Sequence, residues 1–227
     1  MKFTYYGHSA FAVFAGGKHL LFDPFISGNP LADDIDIDEV KADYIFITHG
    51  HYDHVLDTAN IANRTGALVI SPYEVYAYLV KQDLKNIKPI NTGGKLAFDF
   101  GSVKAVTASH SSSFSDGSYA GAACGFVIKT ADGNFYYSGD TALTLDMTLI
   151  PKWADIDFAV LPIGDGLTMG LEDAIDAAAF VKTKKFVGVH YDTFEPVKLD
   201  KAQAISLAKK SGVKLLLPGI GETIEVR

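Results

Sequence analysis

The chain has 227 residues, of which 48% are hydrophobic and 21% are charged, a composition typical of a globular protein and not of a disordered one. The formal net charge of −7 argues against an extended nucleic-acid partner and against binding to an anionic membrane, while leaving a local basic pocket open. The single cysteine, Cys124, cannot form an internal disulfide, and its apolar neighbours indicate a small buried side chain.

The N-terminal segment MKFTYYGHSAF lacks the apolar stretch of a signal peptide. No run approaches the roughly 18 apolar residues that would predict a membrane span. We therefore expect a cytoplasmic protein without a membrane partner.

Short strands alternate with helices along the first half of the chain. Strands are predicted at residues 2–6, 11–15 and 18–23, with a hairpin at Gly16-Gly17. They are followed by a strand from Tyr44 to Thr48, a helix from Asp53 to Arg64 that ends at Gly66, a strand from Ala67 to Ile70 and a helix from Tyr73 to Lys81.

The second half follows the same order. Strands are predicted at residues 95–100, 103–108, 122–129 and 134–138, with a turn at Asp132-Gly133. Next come a strand from Phe158 to Ile163, a helix from Leu171 to Lys182, a strand from Phe186 to Val189, a helix from Asp200 to Ser211 and a strand from Val213 to Leu217.

Each half passes from antiparallel strands into strand–helix units, and no linker rich in Pro, Gly or Ser divides them. We therefore expect one domain over residues 1–227. Its α+β fold should pack two sheets face to face with helices outside, in αββα layers. The polar loop at residues 109–121 is a candidate cover for a site.

Three of the seven histidines fall within the run His49-Gly50-His51-Tyr52-Asp53-His54. The run follows a predicted strand and precedes a predicted helix, so its side chains can converge while the scaffold stays rigid. Gly50 lets the chain bend so that His49 and His51 approach one ion. Asp53 and His54, at the helix start, can reach a second ion beside the first.

Four ligands are too few for two ions, and three other predicted strands end in a candidate: His110, Asp140 and His190. Taken alone, these residues have ordinary interpretations as a loop histidine, a turn aspartate and a core histidine. The run at 49–54 makes them candidate ligands. A closed structural zinc site is the alternative, but such sites are rich in thiolates and need only one tetrahedron of ligands. Zinc is the predicted metal, with manganese and iron as alternatives.

At these residues the chain resembles the metallo-β-lactamase superfamily, which implies the four-layer αββα metallo-β-lactamase sandwich. The resemblance implies that His49, His51 and His110 hold one metal, that Asp53, His54 and His190 hold the other, and that Asp140 bridges both.

Three further segments resemble a group of bacterial and archaeal metal-dependent hydrolases. These segments are residues 7–11, 164–170 and 190–194. The group is similar to ascorbate-6-phosphate lactonase and, more distantly, to N-acyl phosphatidylethanolamine phospholipase D. Asp192 stands where the group has Asn, and Asp165 and Thr168, which match its motif, are candidate contacts to substrate or to the ligands. A helix N-cap is the alternative for Thr168.

Paired divalent cations can share a water and make hydroxide available at neutral pH. Asp53 or Asp140 would orient this nucleophile and carry a proton. His8, after the first strand, is a candidate to bind substrate or donate a proton, with a structural hydrogen bond as the alternative. His19, inside a strand pattern, is assigned no role.

The sequence therefore predicts a metal-dependent hydrolase that uses hydroxide held by a dinuclear metal site on a small ester, lactone or phosphodiester. The alternative is a metal-binding module without turnover. A small molecule is the expected substrate, and related hydrolases often form oligomers, so a homo-oligomer stays open.

Overall fold

The computed structural model describes residues 1–227. Its first half contains β1 (Lys2–Gly7), β2 (Ala10–Ala15), β3 (Lys18–Phe22), β4 (Tyr44–Phe46), α1 (Tyr52–Val55), α2 (Thr58–Thr65), β5 (Leu68–Ser71), α3 (Tyr73–Lys81) and β6 (Ile87–Pro89). Its second half contains β7 (Lys95–Phe98), β8 (Gly101–Thr107), β9 (Cys124–Thr130), β10 (Gly133–Tyr137), β11 (Phe158–Pro162), α4 (Leu171–Phe180), β12 (Lys185–Val189), α5 (Lys201–Lys210), β13 (Lys214–Leu216) and β14 (Thr223–Glu225). Short 3₁₀ helices lie at Ile37–Glu39, Leu145–Lys152 and Glu195–Val197.

The strands form two seven-stranded sheets with matching organisation. Their orders are β14-β1-β2-β3-β4-β5-β6 and β13-β12-β11-β10-β9-β8-β7. In each sheet, antiparallel neighbours give way to parallel ones, from β3 to β6 in the first sheet and from β10 to β13 in the second. Helices α2 and α3 contact the first sheet, and α4 and α5 contact the second. This is the αββα sandwich, which confirms the predicted α+β fold.

An aromatic layer fills the space between the sheets beneath the edge where the predicted ligands lie. Phe3, Phe11, Phe22 and Phe46, one from each of the first four strands, stack in a row with ring centroids 4.7–5.1 Å apart. Tyr137 of the second sheet meets this row edge-on. Buried aromatic rings in such contact pack rigidly. The row therefore fixes the spacing of strands whose ends carry the site.

The predicted helix from Asp53 to Arg64 is wrong as a single element, because the chain breaks between α1 and α2 at Asp57. The Asp57 N–H donates to the carbonyl of Pro24 at 3.1 Å. Its carboxylate accepts from the N–H groups of Ile26 and Ser27 at 2.6 and 2.9 Å. These non-local hydrogen bonds fix Asp57 against the loop after β3, and α1 becomes a single turn that carries the candidate ligands Asp53 and His54. The other predicted strands and helices are present with shifted ends.

None of the helices has the length and apolar character that a membrane crossing requires.

Candidate metal centre

Loops that follow five strands bring the predicted ligands to one edge of the sandwich. His8 follows β1, the 49–54 run follows β4, His110 follows β8, Asp140 follows β10 and His190 follows β12. Potential ligand atoms form three groups, in each of which the atoms lie within 4.8 Å of one another. The groups are His49, His51 and His110; His8, Asp53, His54 and His190; and His49, His54 and Asp140. All seven predicted ligands thus lie together, and His8 joins them.

In the first group, the backbone at Gly50 is packed closely against the 109–121 loop. On either side of Gly50, Nε2 of His49 lies 2.9 Å from Nδ1 of His51, so both rings face one point. A Cβ on Gly50 would lie 2.3 Å from the Cβ of Ala120, which belongs to the 109–121 loop. Ser112 of the same loop accepts a hydrogen bond from the Gly50 N–H at 3.1 Å. The loop packs on the backbone of the ligand run, and only glycine fits beneath it.

The second group is tied together through His8. Its Nε2 lies 2.9 Å from Oδ2 of Asp53, and its Nδ1 lies 3.1 Å from Oγ1 of Thr193. The backbone carbonyl of His8 accepts from the N–H of His190 at 2.8 Å. The end of β1 in one sheet is therefore joined to the end of β12 in the other.

Asp140 lies between the two groups. Its Oδ2 is 3.2 Å from Nε2 of His54, 3.0 Å from Nε2 of His190, 3.7 Å from Nε2 of His110 and 4.0 Å from Nε2 of His49. The carboxylate is buried, with 2% of the residue exposed. A single buried oxygen close to imidazoles of both groups is placed as a bridging ligand would be.

The donor set fits divalent transition metals. Imidazole and carboxylate ligands suit zinc and related ions. Oδ1 of Asp140 and Nε2 of His54 are buried without a hydrogen-bond partner. Buried polar atoms are rarely left unpaired, and unpaired ones call for an explanation such as a bound ion. Of the eight such side-chain atoms in the structure, these two and Nδ1 of His190 belong to the cluster.

The imidazoles of the first group are held in the form that binds metal. Burial lowers the pKa of His49 well below its usual value, and burial also lowers the pKa of His51 and of His110. All three rings are therefore neutral at pH 7, as metal ligation requires.

The carboxylates are held in their charged form. Burial alone would raise the pKa of Asp53, but the hydrogen bond from His8 and the nearby imidazoles outweigh it and lower the pKa. The pKa of Asp140 is likewise lowered despite burial, by His190 and His54. Burial lowers the pKa of His54, but the carboxylates of Asp140 and Asp23 outweigh burial and raise it.

Asp23, which the sequence interpretation passed over, organises the ligands from behind. Its buried carboxylate accepts from the N–H and the hydroxyl of Thr48 at 2.8 and 2.7 Å, and from the hydroxyl of Tyr137 at 2.7 Å. Nδ1 of His54 lies 2.9 Å from it. Nδ1 of His49 lies 2.9 Å from the Thr48 hydroxyl. In the neutral tautomer that carries its proton on Nδ1, the nitrogen that each of these histidines would offer to a metal is Nε2.

The other candidates lie outside the cluster. The exposed Asp165 accepts from the N–H of Gly166, and the hydroxyl of Thr168 donates to the backbone carbonyl of Met169. Thr168 does not cap α4, whose N-cap is Gly170.

Asp192 belongs to none of the three groups of potential ligand atoms. Its carboxylate accepts from the N–H of Leu199 and pairs with Lys201 at 3.1 Å. Cys124 is buried as expected, and burial raises the pKa of its thiol.

The walls beside the ligands differ in chemistry. Phe25 lies between Tyr52 and Phe194, at centroid distances of 5.7 and 6.4 Å, and the ring of His8 contacts both phenylalanines. This aromatic wall flanks the second group. The first group is flanked by the hydroxyl of Ser111, whose Oγ lies 3.5 Å from Nε2 of His51.

Comparisons with known proteins agree with this geometry. Residues 18–191 match the family model described as the beta-lactamase superfamily domain. The chain is 49% identical over 226 residues to a UPF0173 metal-dependent hydrolase of Flavobacterium johnsoniae, covering all of both chains. It is 48% identical over 227 residues to one from Christiangramia forsetii, again over the full length of both. Among solved structures it is similar to Igni18, a metallo hydrolase from Ignicoccus hospitalis, with a TM-score of 0.87, 33% identity and coverage of 98% of this chain and 97% of that one.

Proposed function

The chain belongs to the metallo-β-lactamase superfamily and is a metal-dependent hydrolase, and from this premise we propose that it uses two divalent cations to hydrolyse a small ester, lactone or phosphodiester. Zinc is the metal that we expect. We further propose that residues 1–227 act as a single domain on a small-molecule substrate in the cytoplasm.

The position of Asp140 carries this proposal. Its Oδ2 lies within 4.0 Å of imidazoles from both ligand groups. One cation would be held by His49, His51 and His110, the other by Asp53, His54 and His190, with Asp140 shared between them. A site for one structural ion would need no shared carboxylate and no second set of ligands.

Bound at these ligands, the cations would supply Lewis acidity and lower the pKa of a water to about 7. Asp53 and Asp140 would orient that water, because each presents a charged carboxylate beside the ligand imidazoles. As the only carboxylates among the candidate ligands, they would also hold the proton that the water gives up.

His8 acts on Asp53 in this proposal. Burial lowers the pKa of His8 to about 4, so the ring is neutral at pH 7. A neutral ring can donate from Nε2 to Asp53 and accept at Nδ1 from the hydroxyl of Thr193, which matches both observed contacts. His8 would therefore fix the orientation of Asp53, and the proton-donor role predicted from the sequence would require one of these contacts to break.

The unequal walls suggest how a substrate lies. An apolar group would pack against Tyr52 and Phe194, which stay partly exposed over the buried Phe25, since aromatic side chains provide apolar surface in ligand sites. A polar group would lie toward Ser111 and the first ligand group. This arrangement favours an ester or lactone with an apolar acyl part.

The test begins with metal analysis of the purified protein. Near two equivalents of transition metal and turnover of aryl phosphodiesters, lactones or thioesters would support the proposal. The Asp140→Asn variant should lose turnover, whereas the exposed Asp99→Asn should keep it. Full metal loading without turnover of any substrate would instead favour a metal-binding module.

The role of His8 has its own test. The His8→Ala variant should keep its metal content and lose turnover through kcat more than through KM, because Asp53 stays a ligand but loses its orientation. Thr193→Val should show a smaller effect in the same direction. Unchanged turnover in His8→Ala would remove His8 from the proposal.

A further inference from the structure

A cavity of about 250 Å³ lies on the outer face of the second sheet and has a basic lining. It is formed by β7, β8, β9 and the C-terminal end of the 3₁₀ helix at Leu145–Lys152 with the residue that follows it. Its lining residues are Lys95, Ser102, Lys104, Val127, Lys129, Lys152 and Trp153. We propose that this lysine cavity binds a small molecule that carries two or more phosphate groups.

Two ammonium groups converge on Trp153. Nζ of Lys104 lies 4.6 Å from the centroid of the indole ring. Nζ of Lys129 donates to the backbone carbonyl of Trp153 at 3.3 Å. Lys152 precedes Trp153 in the chain and is exposed. The cavity therefore has a fixed aromatic centre with cationic groups around it.

The arrangement carries an electrostatic cost when the cavity is empty. Lys95 lies directly opposite Lys104 in the pairing of β7 with β8, and like charges in this position destabilise a sheet. No acidic residue lines the cavity, and none of its lysines forms an ion pair. The chain as a whole has more acidic than basic residues, with a net charge of −7, so the absence of acidic partners for these lysines is a local feature.

Two larger cavities elsewhere in the structure have mixed charge. The cavity of about 400 Å³ beside α4 and α5 combines Lys198 with Glu172, Asp173 and Asp200. The cavity of about 380 Å³ on the first sheet combines Lys2 and Lys41 with Glu39. Of these three cavities, only the lysine cavity has basic residues and no acidic ones in its lining. It is therefore the one suited to a multiply charged anion.

Size and charge select the class of ligand. Ammonium groups are strong hydrogen-bond donors to phosphate. A cavity of about 250 Å³ holds a di- or triphosphate group, whereas an extended nucleic acid would have to follow the surface of an acidic protein. The lysine cavity also lies away from the metal edge, because β9 runs from Cys124 at that edge to Lys129 and Thr130 at the far end. The proposal is therefore independent of the hydrolytic function.

Binding of inorganic tripolyphosphate, measured by isothermal titration calorimetry, tests the proposal. Because phosphates also bind metals, the titration is made on metal-loaded and on chelator-treated protein. We expect binding in both forms, and at least about tenfold weaker binding in the double variant Lys104→Gln, Lys129→Gln. The matched control is Lys209→Gln, Lys210→Gln on α5, which removes the same charge from exposed positions and should bind as the wild type does.

Binding that disappears after chelator treatment, or that the Lys104, Lys129 double variant retains, would overturn the proposal. So would tighter binding of single-stranded oligonucleotides or of anionic vesicles through the same lysines.

The melting temperature of a single variant gives a second test, in which the variant is expected to be more stable than the wild type, so that loss of ligand binding cannot be due to unfolding. Lys95→Gln removes the repulsion with Lys104, so it should raise the melting temperature without ligand and reduce the rise that tripolyphosphate produces. An unchanged or lower melting temperature without ligand, or an undiminished ligand effect, would contradict the proposed role of the lysine pair.

Discussion

Replacing Asp23 by Asn measures how much its carboxylate contributes to stability and to metal affinity through its contacts with the candidate ligands. The amide has nearly the same shape, so packing is retained while the acceptor capacity of one oxygen is lost. Oδ1 would still accept from the Thr48 N–H. The NH₂ group would replace Oδ2, which faces the hydroxyls of Thr48 and Tyr137 and Nδ1 of His54. The His54 ring would lose the acceptor that sets its tautomer.

The size of the effect follows from these contacts. A hydrogen bond to a charged group contributes about 1.5–3 kcal/mol, and a hydroxyl can rotate to accept from the new amide. We expect a net loss of about 3 kcal/mol, which for a chain of this length corresponds to roughly 6–12 °C in melting temperature. Metal affinity should fall about 10–100-fold, the usual effect of removing a partner of a ligating histidine.

Two assays on Asp23→Asn separate these effects. Thermal unfolding of the chelator-treated protein reports the structural loss, and competition with a chromophoric chelator reports the metal affinity. Asp99→Asn is the matched control, because Asp99 is exposed and makes its contacts with Lys18 and Tyr44 at the surface. Wild-type metal affinity in Asp23→Asn would refute the idea that this carboxylate prepares His49 and His54 for ligation.

Three further outcomes are expected. Gly50→Ala should lose metal and melt at a lower temperature, because its Cβ would lie 2.3 Å from that of Ala120; wild-type metal content would show that the 109–121 loop moves freely. Metal removal by a chelator should lower the melting temperature by roughly 10 °C, as expected when a tightly bound ligand is lost; an unchanged value would mean that the purified protein holds no metal there. The metal-free protein should be less stable at pH 5.5 than at pH 7.5. Four imidazoles of the cluster, two buried and two half-buried, have lowered pKa values, and one, His54, has a raised pKa. The four are His8, His49, His51 and His110. Below about pH 6.5 the unfolded chain therefore takes up protons that the folded chain refuses. Denaturant titrations at the two pH values test this, and equal stability would contradict the assigned neutral rings.

Most elements of the fold could be read from local patterns, and those that could not depend on distant partners. The break in the predicted helix at Asp53–Arg64 could not be inferred from the local sequence. It is caused by hydrogen bonds between Asp57 and the loop after β3. β6 was not expected, since it contains Pro89 and lies at a sheet edge, where proline is tolerated. β14 was not expected either, because its pairing with β1 joins the two ends of the chain.

The candidate ligands could be predicted from the sequence because each of them follows a predicted strand. His110, Asp140 and His190 each follow a strand, and the structure brings them to the 49–54 run. Asp23 also follows a strand, β3, and the same rule applied to every strand would have found it. Its partner Tyr137 lies 114 residues away, however, so its role could not be inferred. The lysine cavity could not be inferred from the sequence, which excluded no local basic pocket but indicated none, because three of its lysines come from separate strands.

Anomalous scattering from crystals of the purified protein, recorded at the absorption edge of the metal found by elemental analysis, tests the central claim most directly. We expect two peaks about 3.5–4 Å apart, one beside His49, His51 and His110 and the other beside Asp53, His54 and His190, with the carboxylate of Asp140 between them. A single peak, or peaks away from these side chains in protein with full metal content, would contradict a hydrolase built on a shared pair of cations.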